Sequence, residues 1–312
     1  MLAKKRYLLY LSGLTLFVIL IWYYEVALIV QKIGSLRLPW ALLAGASILV
    51  TTFLGAINAY LFIGRDRKVT FSDFLALYWI SWAVGLVVPG QIGDLASIGF
   101  FLRRHSLELS TIWGRAMLDK TISLMVMLVF VLIGLLTIVK GVILDQRLLL
   151  SAALLLALAV GVVYGLRGWL RAVFDPVRAG PAGGLARIFT ELMQTVRLTP
   201  SRVWLNIGIT ILKVILAGGA YWAMFCALGE TGLPLFEVVV LATIAGLVAY
   251  LPLSINGLGT VEMAGIFLFG QLDVPAVTVI TAYICLRLLV LGLAWVPAFI
   301  WIFGSQKRNS VI

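Results

Sequence analysis

Two apolar segments of this 312-residue chain are interrupted where a membrane helix has to run on unbroken, and each interruption carries a carboxylate. The first reads Val88-Pro89-Gly90-Gln91-Ile92-Gly93-Asp94 and the second Leu251-Pro252-Leu253-Ser254-Ile255-Asn256-Gly257-Leu258-Gly259-Thr260-Val261-Glu262. Proline removes a helix donor and glycine frees the backbone, so both stretches unwind and leave amide and carbonyl groups that hydrocarbon cannot solvate. Such backbone survives at membrane depth only inside protein or against a polar cavity. Corresponding broken segments in the two halves of a membrane protein are the sequence mark of a transport site.

Composition fixes the solvent. Hydrophobic residues make up 62% of the chain and charged residues only 12%, about half the roughly 25% of soluble domains. This is the composition of a polytopic membrane protein, and at about 20 residues per span little chain is left for an extramembrane catalytic domain. The chain is accordingly not read as an enzyme. The net charge of +11 does not indicate nucleic acid, because Lys and Arg fall in short clusters between apolar runs, as the positive-inside rule expects. Cys226 and Cys285 lie within apolar runs and His105 is the single histidine, so no disulfide framework, metal site or catalytic triad is expected. With no Gly-rich loop ending in Gly-Lys-Ser/Thr, no P-loop nucleotide or other cofactor is expected either.

Charge clusters orient the spans. Lys4, Lys5 and Arg6 precede a first span, Tyr7 to Tyr24, and place the N-terminus in the cytoplasm. Glu25 to Leu38 reads as an outer loop, and Trp40 to Ile63 returns to Arg65, Arg67 and Lys68. Phe71 to Leu102, broken at the first motif, reads as a re-entrant hairpin that keeps Arg103 and Arg104 inside. Ser110 to Val139 and Leu148 to Leu166 cross out and back, Trp204 to Leu228 crosses outward, and Phe236 to Gln271 forms a second hairpin around the second motif. Pro275 to Phe303 crosses to Lys307 and Arg308. The expected fold is thus an all-α single transmembrane domain over residues 1–312: six full spans and two broken-helix hairpins, arranged as inverted-topology halves 1–140 and 147–312, both termini cytoplasmic. Residues 175–201 read as a cytoplasmic amphipathic connector.

Charge inside an apolar span costs roughly 2.5 to 3.5 kcal/mol per residue on insertion scales. Arg115 and Asp119 share a helix face, with Lys120 beside them. They lie within the bilayer if the span begins near Ser110, and snorkel at the surface if it begins near Thr121. Lys213 is a second deep cation. Arg287 lies on the order of 18 Å into its span at 1.5 Å per residue and needs an anion: Asp94, Glu262 or a lipid phosphate. Half-helices that begin after Asp94 and Gly259 aim free amides at the breaks, which suits a phosphate or carboxylate. The alternative is that both acids cap their own helices or pair with Arg287 and Arg115. The candidate ligand-binding set is Pro89, Gly90, Gly93, Asp94, Arg115, Asp119, Lys120, Lys213, Asn256, Gly257, Gly259, Glu262 and Arg287.

The first motif, the downstream Arg115-Ala116-Met117-Leu118-Asp119-Lys120, and the second motif with Arg287 resemble the lysylphosphatidylglycerol synthase transmembrane-region family of flippase-like proteins. The second motif is similar to that family's Pro, Gly-Gly-x-Gly, Glu pattern. Asn256 stands in place of the first of those glycines, and Ser97 where many members carry a basic residue. The resemblance implies a translocator of an anionic phospholipid or a polyprenyl-phosphate-linked sugar in the cytoplasmic (inner) membrane. Compatible partners are a separate lipid-modifying enzyme or glycosyltransferase, and a second copy of the chain. From the residues alone the reading is a transporter for a ligand with an anionic group. The alternatives are an integral-membrane lipid-phosphate transferase, which would use Asp94 with Asp119, and a proton-coupled small-solute transporter.

The inverted arrangement makes a sharp prediction. Cysteines introduced at Arg103 and Arg104 should react with impermeant reagents only from the cytoplasmic side, and labelling from outside would break it.

Overall fold

The computed structural model describes residues 2–63, 69–87, 109–138, 199–250 and 254–305. All regular structure among them is helical, numbered here in order of appearance: α1 Leu2–Tyr23, α2 Val26–Gly34, α3 Leu38–Ile63, α4 Phe71–Gly85, α5 Leu109–Ile138, α6 Pro200–Ala227, α7 Leu235–Leu247, α8 Thr260–Phe269 and α9 Ala276–Ser305. Short 3-10 turns at Val248–Tyr250, Ile255–Gly257 and Gly270–Leu272 flank α8. Local sequence sets the starts. Thr70 accepts a hydrogen bond from the amide of Asp73 at 3.2 Å and donates to its carboxylate at 2.6 Å, a capping arrangement that satisfies an orphan donor of α4. Pro200 opens α6 in its first turn, where a missing N–H costs nothing.

Among the described residues, four stretches are long and apolar enough to cross a membrane: Leu38–Ile63, Gly114–Gly134, Pro200–Ala227 and Ala276–Trp301. The pair Gly13–Tyr23 and Val26–Gly34, bent by 77°, makes a fifth if it counts as one span. Two shorter apolar helices, Leu235–Tyr250 and Thr260–Leu272, bracket the second motif where a broken segment was expected. The expected span Leu148 to Leu166, the first motif and most of the 175–201 connector lie outside the described residues.

One expectation is corrected. Glu25 to Leu38 is not a loop: Val26–Gly34 is helical. Nine residues are too short to register as a span, but Val26, Ile29, Val30 and Ile33 recur at helical spacing. Ile29 is buried against Leu20 and Ile280, a tertiary contact that holds a helix too short to persist alone.

The bundle packs through small side chains, as membrane helices do when lipid is no less apolar than the protein. α3 runs beside α6 as the most extensive pair, and α7 lies against both α5 and α6. Ala41, Ala44, Ala220, Ala223, Ala227 and Ala245 are buried in the main core with Met224, Phe225, Phe269 and Tyr283. A side chain on Gly218 would meet the Val239 backbone at 2.5 Å, so α6 and α7 touch almost backbone to backbone. Large apolar side chains point outward instead, among them Leu42, Trp204, Leu212, Leu288, Phe299 and Ile300.

Polar contacts between helices sit where an orphaned group would otherwise face hydrocarbon. Pro297 lies inside α9 and cannot donate to the carbonyl of Leu293 four residues back. Trp79 of α4 donates its indole N–H to that carbonyl at 3.0 Å. Asn58 of α3 donates to the Thr210 hydroxyl of α6 at 2.9 Å, and Asn206 of α6 donates to the Asp119 carboxylate of α5 at 2.9 Å.

The Trp79 contact is open to a double-mutant cycle. Trp79→Phe should lower stability by about 1–3 kcal/mol, the cost of a buried acceptor left unpaired. Adding Pro297→Ala restores an in-helix donor and should remove most of that loss in thermal unfolding of detergent-solubilised protein. Additive effects would show that the indole bond contributes nothing.

Candidate functional site

Two sites emerge, one at the second break and one in a cavity beside it. At the break, Asn256 adopts φ 48° and Gly257 and Gly259 adopt φ 69° and 81°. These left-handed values turn the chain sharply before α8, and asparagine enters that region more readily than other side-chain-bearing residues. Asn256 therefore keeps the backbone course for which the related motif uses glycine.

Glu262, three residues into α8, is completely buried. Its Oε2 accepts the amide of Gly259 at 2.7 Å, and its Oε1 accepts Nε–H of Arg287 on α9 in a short ion pair. The remaining guanidinium nitrogens of Arg287 donate to the Asn256 carbonyl at 3.4 Å. Every charged atom group at the break is thus answered by another. The anion that Arg287 requires is Glu262, and the amide of Gly259, the residue that caps α8, is taken by Glu262 itself. α1 closes over the same place. A side chain on Gly13 would press on the Leu258 carbonyl at 2.8 Å, and one on Gly259 would strike the Gly13 carbonyl and reach the Phe17 amide nitrogen at 3.0 Å.

The second site is a cavity of about 280 Å³ lined by α3, α4, α5, α6 and α7. Asp119, Lys120 and Lys213 line it. Lys213 stands at the middle of the 28-residue α6, and Asp119 a third of the way along the 30-residue α5, so these charges lie within the spans rather than at their ends. Tyr78, Tyr221, Tyr250, Ser123, Thr210 and Thr243 also line the cavity, but most of the wall is apolar, with Ala59, Ile63, Trp82, Met127 and Val214 among its residues; the hydroxyl oxygens of Thr51 and Ser81, two further lining residues, are buried. Hydroxyls, ammonium groups and a carboxylate in one chamber can replace the hydration shell of a polar group that leaves water. Among the described residues no group of three or more His, Cys, Asp or Glu could hold a metal ion.

Tyr221 joins the two sites. It lines the cavity, its ring lies 5.0 Å from that of Tyr283, and the charges of both Arg287 and Glu262 act on it. Tyr283 packs against Gly265, one turn beyond Glu262, where no side chain larger than glycine fits.

The structure therefore gathers Asn256, Gly257, Gly259, Glu262 and Arg287 at the break, and Asp119, Lys120 and Lys213 in the cavity. Arg115 is placed with neither group: it is buried and donates to the Phe62 carbonyl near the end of α3 at 3.4 Å. Pro89, Gly90, Gly93 and Asp94 lie outside the described residues. Sequence reasoning missed the tyrosines and the Asn58–Thr210 and Asn206–Asp119 contacts. The asparagines did carry a signal, since an amide within an apolar span needs a partner as a charge does.

A family model described as Lysylphosphatidylglycerol synthase TM region matches residues 10–298. Neither a curated protein nor a solved structure matches the chain.

The ion pair predicts a reciprocal stability effect. Arg287→Leu leaves a buried carboxylate uncompensated and should cost about 3–5 kcal/mol, whereas Arg287→Leu with Glu262→Gln removes the charge together with its partner and should recover most of it. Thermal unfolding in detergent measures both variants. Equal destabilisation would mean that the pair does not hold the break.

Proposed function

This chain belongs to the lysylphosphatidylglycerol synthase transmembrane-region family, and we propose that it translocates an anionic phospholipid or a polyprenyl-phosphate-linked sugar across the cytoplasmic membrane without altering it chemically. It is a multi-pass membrane protein of a family tied to lipid biology. The observation that carries the finer reading is the cavity: Lys120, Lys213 and Asp119 line a largely apolar chamber, set in a bundle whose outer surface is apolar.

The argument is one of solvation. A lipid headgroup carried through bare hydrocarbon loses its hydrogen bonds and, if charged, its hydration as well, a cost of several kcal/mol or more. A chamber lined by ammonium and hydroxyl groups supplies replacement partners, while the acyl or isoprenoid tails remain among the lipids outside the bundle. In this reading Lys120 and Lys213 bind the phosphate. Asp119, oriented by Asn206, faces the cationic or hydroxyl-bearing part of the headgroup. The neighbouring break holds α8 in place through Glu262 and Arg287, so that rocking of one half against the other has a fixed element to work against. A separate lipid-modifying enzyme or glycosyltransferase would supply the lipid.

Reconstitution into liposomes with a panel of fluorescent lipids tests the proposal. Wild-type protein should move labelled phosphatidylglycerol or a polyprenyl-phosphate sugar between leaflets. Lys213→Leu should slow that movement about tenfold or more, since a hydrogen bond to a charged group contributes about 1.5–3 kcal/mol. Leu288→Ala, on the exposed face of α9, should leave the rate unchanged. Protein that moves no lipid, or a Lys213→Leu variant at the wild-type rate, would overturn the assignment.

A further inference from the structure

From the geometry of α2 we infer that this helix lies in the plane of the membrane and inserts its outer face at the boundary between headgroups and acyl chains, on the membrane side where α6 ends. This inference concerns a surface remote from the cavity and does not depend on the transport reading.

Three independent observations place it. The chain turns by 77° between α1 and α2, through Glu25 at φ 57°, so α2 leaves the direction of the preceding span and runs across it. Its sides then differ. Ile29 is buried on Leu20 and Ile280, while Val26 and Val30 are 54% and 60% exposed and Ile33 is 37% exposed. Spaced by four and then three residues, these last three form one exposed apolar stripe with the buried Ile29 along its edge, and Leu28, 41% exposed, lies on another side of the helix. In water such a stripe costs free energy; at an interface it is the usual way an in-plane helix holds on.

The surroundings mark the same level. Trp22 and Tyr23 at the end of α1 are 78% and 69% exposed. Trp40 at the start of α3 packs edge to face with Trp222 near the end of α6, at 5.3 Å, and the Trp222 indole donates to the Leu233 carbonyl in the connection to α7 at 2.9 Å. Aromatic residues with polar edges collect at the headgroup level. Lys32 on α2 pairs at 3.8 Å with Glu230 of that connection, and Glu230 also accepts the Thr278 hydroxyl of α9. α2 is therefore clipped to the two elements that lead into and out of the α7–α8 pair. The exposed stripe continues the apolar outer surface of the spans, which is the surface lipid already covers, so lipid rather than a protein partner is the occupant.

Depth-dependent fluorescence quenching tests this on the full-length protein in phosphatidylglycerol-containing liposomes. Cys226 and Cys285 are buried and are first replaced by Ala. An environment-sensitive label is then placed singly at Val26→Cys, Val30→Cys, Ile33→Cys or Gln31→Cys. The labels on the stripe should be quenched at least about twofold more by lipids carrying a spin label near the headgroup than the label at Gln31, and the order should reverse with aqueous iodide. Iodide quenching that is equal at all four positions would show a helix standing in water and overturn the inference. Stripe labels that neither quencher reaches would mean that protein, including a second copy of the chain, covers the stripe, and would overturn it equally.

Discussion

Glu262 has no exposed surface, yet it sits beside chain whose own backbone has left the helix. Each of these is costly alone. A buried carboxylate without a partner is expelled or neutralised, and an unwound segment leaves amides and carbonyls without acceptors or donors. Together they resolve each other: the carboxylate accepts the Gly259 amide, Arg287 neutralises the carboxylate, and the spare donors of Arg287 take the Asn256 carbonyl. Remove Arg287 and both the Glu262 carboxylate and the Asn256 carbonyl lose a partner. The arrangement joins α8 to α9, and through Tyr283 and Tyr221 it fixes one wall of the cavity.

The rest of the bundle obeys the same rule with weaker groups. Pro297 frees a carbonyl and Trp79 takes it. Asn58 and Asn206 bridge α3, α5 and α6 by contacts that leave Asp119 held at the cavity wall. Elsewhere alanine and glycine bring the helices close, Phe62, Ile112, Leu118 and Phe225 fill the spaces between them, and other bulky aliphatic residues face outward. Polarity is thus concentrated in two adjoining places, the break with its Glu262–Arg287 pair and the chamber lined by Lys120, Lys213 and Asp119. The chamber, and not the break, is assigned the ligand because it has the volume to hold one, whereas Arg287 at the break already faces Glu262.

The second broken segment was legible because proline and closely spaced glycines disfavour a continuous helix: Gly257 and Gly259 take left-handed φ values, and the expected arms Phe236 to Tyr250 and Val261 to Gln271 differ from the observed α7 and α8 by one or two residues at three of their four ends. That Arg287 needs an anion was legible from the price in free energy of an unpaired guanidinium at depth, but not which of Asp94, Glu262 or a lipid phosphate supplies it; the structure gives Glu262. α2 was not legible, because nine residues between two spans look like any short connection until Ile29 is seen against Ile280. Nor was the cavity. Tyr78, Tyr221 and Tyr250 are ordinary interfacial or core residues by composition, and Asp119 and Lys213 meet only because α5 and α6 cross where they do. Helical periodicity reports which face is apolar, and in lipid nearly every face is, so the inward side of these spans carries no hydropathy signal.

The central claim is that the cavity between α3, α4, α5, α6 and α7 receives a lipid headgroup while the tails stay in the bilayer. A cryo-electron microscopy map of the protein in nanodiscs that contain phosphatidylglycerol or a polyprenyl-phosphate sugar tests it most directly. The account predicts headgroup density between Lys120 and Lys213, continuous with acyl or isoprenoid density that leaves sideways between helices. A closed chamber holding only water or a small solute, with no tail density reaching it, would contradict the account.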